Sequence, residues 1–143
     1  MALRGMNTRL MLILGVVLTL SGRSAMGQPT PKDVMLQIQD AVAHGDVDQL
    51  LDRANKGLEI DMLSRRRTYS PGQARYVLRR FFKKHPPRRF ILIDYYESHK
   101  GWFAEGKYWY GKSKRPLQIY LQLRWRNGHW DLREIIIENN MRH

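Results

Sequence analysis

The residues of this chain best suited to acid–base chemistry are the carboxylates of Asp61, Asp94 and Glu134, with the phenols of Tyr96 and Tyr108 and the indole of Trp102 available as donors and walls. A carboxylic acid held against an apolar wall has its pKa raised and can then trade a proton with a bound molecule. These six side chains are therefore the candidate lining of a ligand pocket. Asp94 and Tyr96 share one face of a predicted strand, and Trp102, Ala104, Gly106 and Tyr108 share one face of the next. Their order matches no catalytic signature, so no catalytic residue is assigned. Asp61 shares a face with Glu59, which reads more simply as a solvated strand face. Glu134 stands beside Arg133 and across a predicted hairpin from Arg124 or Arg126, which reads more simply as an ion pair.

Other chemistries find less support. His44, His85, His99, His129 and His143 sit at turns and ends, with no ligand-forming i, i+4 pair, so neither a metal nor a cofactor is expected. His85 closes a predicted helix, where an imidazolium would suit the negative end of the helix dipole. Ser64, Ser98 and Ser113 lack a nucleophile elbow, and Ser70 is a helix cap. The isolated glycines form no phosphate-cradling loop. The chain has no cysteine, which removes disulfides and lipid attachment alike.

Charge is the remaining signal, at a formal +12 over 143 residues. Arg75, Arg79 and Lys83 repeat at four-residue spacing along one helical stripe, with Arg80 and Lys84 on the next and Arg88 and Arg89 just beyond. Like charges four apart on a helix cost a few tenths of a kcal/mol, roughly, per pair. An anionic surface or an acidic protein would offset that cost, and a solvated face is the plain alternative. Arg124 and Arg126 join Gln118, Tyr120 and Gln122 on the polar side of a strand as a second basic surface. Nucleic acid is disfavoured as a partner, because Arg4 and Arg9 precede the apolar run Leu10 to Leu20 and small residues flank Met26 at Ala25 and Gly27. That pattern is a secretory signal peptide over 1–27, leaving residues 28–143 as one exported domain, periplasmic or secreted.

The elements that must position these groups follow from capping and periodicity. Thr30-Pro31 opens a helix through Val34, Ile38 and Val42 that stops near Gly45, and Asp46 caps a short second helix. Residues 57–63 read as a strand, and 65–69 as a turn and short strand. Ser70-Pro71 with Gln73 is a capping box for a helix carrying Val77, Leu78, Phe81 and Phe82, ended by Pro86-Pro87. Four strands follow at about 88–98, 101–111, 117–126 and 129–138, the last two joined by Asn127-Gly128, a strong hairpin signal. In the last strand Trp130 and Leu132 fall out of phase with Ile135 and Ile137, which predicts a bulge near Arg133 or burial on both sides. Trp102, Tyr108, Trp125, Trp130, Phe81 and Phe82 either wall an apolar pocket or fill the space between helix and sheet. Their size favours a filled or shallow interior. Tyr95, Phe103 and Trp109, where exposed, would mark a homodimer contact through the sheet face.

Three segments carry a family resemblance: Ala41-Val42-Ala43-His44-Gly45-Asp46 with the following Leu50, the block from Tyr69-Ser70 to Ile93, and Ala104-Glu105-Gly106. They resemble an exported bacterial domain-of-unknown-function family, number 4783, whose members look like small versions of the nuclear-transport-factor-2-like, or cystatin-like, fold. The resemblance implies an α+β architecture, with N-terminal helices packed on a strongly curved, cone-shaped antiparallel sheet. It implies no activity. The residues and the resemblance together suggest an exported, non-catalytic binding or assembly module using the basic helix and the polar sheet face. A small-molecule carrier or enzyme with a pocket inside the cone is the alternative.

Overall fold

A computed structural model describes residues 27–54 and 56–139; the signal-peptide reading falls almost wholly on residues outside that range. Helix α1 (Pro31–His44) starts where Thr30 accepts from the Asp33 amide at 3.1 Å and the Asp33 carboxylate accepts from the Thr30 amide at 2.9 Å. The Thr30 hydroxyl also donates to that carboxylate at 2.8 Å, and this bond first, then the amide one, holds the Asp33 carboxyl below its ordinary pKa. The helix ends at Gly45, whose φ of 64° is left-handed. Asp46 then caps α2 (Val47–Leu51) by accepting from the Gln49 amide at 3.0 Å. Strands β1 (Leu58–Met62) and β2 (Arg66–Tyr69) lead to α3 (Pro71–Lys84), where Ser70 and Gln73 form the reciprocal cap that their spacing predicts.

Strands β3 (Pro87–Ser98), β4 (Gly101–Tyr110), β5 (Leu117–Arg126) and β6 (His129–Asn139) form a meander. The sheet order is β2-β1-β6-β5-β4-β3, every pairing antiparallel except β1 with β6. The sheet is curved and not closed, and its two edges are β2 and β3. One face carries the helices. Val34, Ile38, Leu50, Leu78, Phe81 and Phe82 from the helices meet Phe90, Tyr108, Leu121, Leu123 and Ile135 from the strands in one core. Asn127 and Gly128, both at positive φ, make the tight turn between β5 and β6.

Two register shifts set which side chains reach that core. Gln122 pairs with Glu134 but Leu123 pairs with Leu132, so Arg133 is the extra residue of a bulge. Leu132, Ile135 and Ile137 thereby share the buried face, the first of the two outcomes that the parity break in the sequence allows. A second shift was not anticipated. Leu92 pairs with Gly106 and Asp94 with Glu105, leaving Ile93 unpaired and half exposed. Phe90 and Leu92 point into the core, yet Asp94 and Tyr96 are turned to the opposite face.

Candidate functional site

Of the six side chains expected to line an interior pocket, only Tyr108 and Trp102 face the helices. Tyr108 is fully buried, with its ring centroid 5.6 Å from Phe81, 6.2 Å from Phe82 and 6.3 Å from Phe90. Its hydroxyl donates to the His85 carbonyl, and burial pushes its pKa far up, so it is a neutral structural donor. The space under α3 is filled by rings. His85 belongs to that packing, stacked 4.8 Å from Phe81 and edge-on to Tyr110 at 4.9 Å. Burial holds its pKa below the ordinary value, which opposes the charged, dipole-stabilising role that its position at a helix end suggested.

The other four leave the interior. Asp94 and Tyr96 are carried outward by the bulge at Ile93, where Asp94 accepts from the Tyr95 amide at 2.8 Å and Tyr96 stacks on Phe103 at 5.1 Å. Asp61 and Glu134 lie on the same outer face and meet Arg66 of β2. Its guanidinium is 2.9 Å from Glu59, 3.2 Å from Glu134 and 3.5 Å from Asp61. The charge of Glu134 is the largest cause raising the Arg66 pKa; burial opposes it, and Glu59 and Asp61 add to the rise. Glu134 is thus ion-paired, but not to Arg124 or Arg126. The bulge at Arg133 places it opposite Gln122, and β1 lies parallel beside β6 with Glu59 opposite Glu134. This brings a guanidinium from a distant strand within reach.

The basic set divides in the same way. Arg75 and Arg79 are held by Asp48 of α2 at 3.0 and 3.3 Å, and the Arg75 hydrogen bond lowers the Asp48 pKa. Arg88 donates to the carbonyls of Gly111 and Ser113 at 3.2 and 3.1 Å, tying down the β4–β5 loop. Arg89 lies over the Trp109 ring at 5.4 Å. Arg80, Lys83 and Lys84 remain exposed on α3 with no ion pair among the described residues, beside the exposed Tyr76.

Among the described residues an open site does exist at the other end of the helix-bearing face. Trp125 and Trp130 are cross-strand partners whose rings meet at 65° with centroids 5.3 Å apart. Both indoles line two clefts. One, of about 360 Å³, is bordered by Glu97, His99, Lys100 and Arg124; the other, of about 250 Å³, by Gln28, Pro29, Arg53 and His129. Alternation marks Trp125 as a core-face residue, and nothing local in sequence says that this end is uncovered. Arg126 lies nearby, half buried, and borders a small recess with Lys56 and Asp131.

A family model described as "Domain of unknown function (DUF4783)" matches residues 35–138. The chain belongs to the DUF4783 family. A DUF4783 protein from Bacteroides ovatus is similar in structure, with a TM-score of 0.70 at 15% identity over 81% of this chain and 100% of that one. A DUF4783 protein from Bacteroides uniformis gives 0.68 at 13% over 76% and 99%. An NTF2-like protein of unknown function from Cytophaga hutchinsonii gives 0.58 at 10% over 80% and 94%. At these identities the likeness shows the fold, and this DUF4783 chain has the NTF2-like architecture that its resemblance implied. No curated protein matches it in sequence.

Proposed function

We propose that the chain is an exported, non-catalytic binding or assembly module. Its contact surfaces are the exposed side of α3 and the sheet face turned away from the helices. The observation that carries this reading is the ring packing around Tyr108, which occupies the volume a carrier or enzyme would keep open. Further support comes from Arg80, Lys83 and Lys84, exposed on α3, and from Phe103 and Trp109 on the outer sheet face, where Tyr96 takes the place expected of Tyr95, which the shifted register packs against the core. The partner is an acidic protein or another anionic surface, and a second copy of the chain can use the aromatic sheet face.

Amide shift mapping with poly-L-glutamate tests the α3 surface. Shifts at Tyr76, Arg80, Lys83 and Lys84 that fade as salt shortens the Debye length support it. Shifts at Leu78, Tyr108 and Leu121 on adding laurate would restore the interior carrier and overturn it. Sedimentation equilibrium tests the assembly surface, with self-association expected to weaken in Phe103→Arg. Export is checked by N-terminal sequencing of the secreted product, expected to begin at Gln28.

A further inference from the structure

The pair Trp125–Trp130 lies on the helix-bearing face, apart from both surfaces above, and of its cationic rim Arg124 alone comes from a position that alternates to the outer face. Trp125 is 51% exposed, an unusual state for the largest apolar side chain on the core-facing side of a sheet. The two rings meet at 65°, so the indoles form a bent ridge with a cleft on each side. An enclosed pocket would suit one small molecule; two open clefts sharing one aromatic ridge suit a chain of ring-shaped units lying across it.

The rim selects charge. Lys100 and Arg124 border the larger cleft, and neither side chain has an ion pair among the described residues. Glu97 is the one carboxylate there, and Asp131, opposite Arg124 in register, is engaged by His129 at 2.8 Å. Arg53 borders the smaller cleft and reaches Gln37 rather than a carboxylate. An exposed indole, Trp125, beside the half-buried Trp130 and the unpaired cations of Lys100 and Arg124 complements a ring that is apolar on its flat side and anionic at its edge.

The cationic rim is also held in place. The Lys100 carbonyl accepts from Gln122 Nε2 and the Lys100 amide donates to Ser98 Oγ, each at 3.1 Å. Gly101 closes the turn at φ 129°, and a Cβ there would lie 2.1 Å from the Leu123 carbonyl oxygen. The β3–β4 turn is therefore pinned against β5, so the backbone that carries Lys100 at the cleft needs no ordering on binding.

We propose that this end of the sheet binds an acidic oligosaccharide, its pyranose faces stacked on Trp125 and Trp130 and a uronate carboxylate paired with Lys100 or Arg124. The inference does not depend on the α3 surface. Calorimetric titration of the full chain at low salt with tetragalacturonate tests it, with cellotetraose as the neutral counterpart. Saturable binding of the uronate is expected, much weaker for cellotetraose. Trp125→Ala should weaken it by about tenfold, the scale of losing one stacked ring. Lys100→Gln should weaken it several-fold, and Lys112→Gln in the β4–β5 loop should leave it unchanged. Circular dichroism of each variant confirms that the fold is retained, and Lys100→Gln carries the test alone if Trp125→Ala does not fold. Absence of saturable binding overturns the proposal, as does cellotetraose binding equally well. Poly-L-glutamate competing with equal strength would reduce the site to a general anion surface, and 2-naphthoate binding in place of tetragalacturonate would make it an aromatic-carboxylate site; either result also overturns it.

Discussion

Tyr108 and Trp125 stand on the same face of the sheet, yet Tyr108 is sealed while Trp125 is half exposed. Around Tyr108 lie Phe81 and Phe82 from the last turn of α3, the His85 carbonyl and the Phe90 ring. Around Trp125 lie another indole, two clefts and the end of a hairpin. Length accounts for much of the difference. The two long helices have 14 residues each and β4 and β5 have 10. At about 1.5 Å per helical residue and about 3.3 Å per strand residue, the strands outrun the helices by roughly 12 Å. A helix of that length cannot roof a whole strand, and at the Trp125 end α1 supplies Val34 as cleft lining among the described residues. An apolar residue at an inward position is thus a statement about its face, and its burial depends on where the helix ends.

The sharpest way to break this comparison is to truncate both rings. Tyr108→Ala should cost about 3–5 kcal/mol, the range for emptying a packed aromatic site, whereas Trp125→Ala should cost less than about 1 kcal/mol. Urea unfolding of the two variants reads both, and equal losses would show that the Trp125 end is core as well. Gly106→Ala comes next. Its Cβ would lie 2.6 and 2.8 Å from the Phe90 ring and 2.9 Å from the Ile91 carbonyl oxygen, which cannot give way at a strand pairing. Overpacking of that kind should cost about 1–3 kcal/mol and lower the unfolding midpoint. Tyr108→Phe isolates the hydrogen bond to His85, and about 1 kcal/mol should be lost with the ring kept.

The smallest effect is in pH. Burial depresses the His85 pKa in the folded protein, so the unfolded chain takes up the proton first as pH falls. The contribution of His85 is therefore intact above the unfolded value of about 6.5 and is lost as pH drops through the folded one. Urea midpoints at pH 7.5 and pH 5.5 should differ less in His85→Gln than in the parent protein. A slope unchanged by the substitution would mean that His85 is already solvated and that the sealed end stops short of the helix terminus.

Much of the architecture was legible because its signals are local. Thr30 with Pro31, Asp46, and Ser70 with Gln73 each announce a helix start within four residues, and Asn127-Gly128 announces the hairpin. The bulge at Arg133 was half legible for a different reason: two apolar pairs on one strand fell out of phase, which left an inserted residue or burial on both sides, and the register shows the inserted residue. The bulge at Ile93 left no such trace. Phe90, Leu92, Asp94 and Tyr96 alternate without a break, and polar residues at a strand end fit either face. Reading that alternation straight through put Asp94 and Tyr96 inside, and the shifted register puts them outside.

The residues that escaped sequence reasoning all depend on contacts between distant segments. Asp48 neutralises Arg75 and Arg79 only because α2 packs on α3, and Arg66 gathers Glu59, Asp61 and Glu134 only because β1 enters the sheet parallel to β6. His99 and Lys100 join Trp125 and Trp130 at one rim only because the β3–β4 turn ends level with the β5–β6 hairpin. Caps, turns and period-two alternation are settled by backbone geometry over a few residues, so the sequence by itself determined the elements, their order and the apolar side of the strands, except beyond Ile93 in β3. Which charges cancel and which aromatic end stays open were decided by the tertiary structure, because a strand rises faster per residue than a helix and partners meet only after the sheet is assembled.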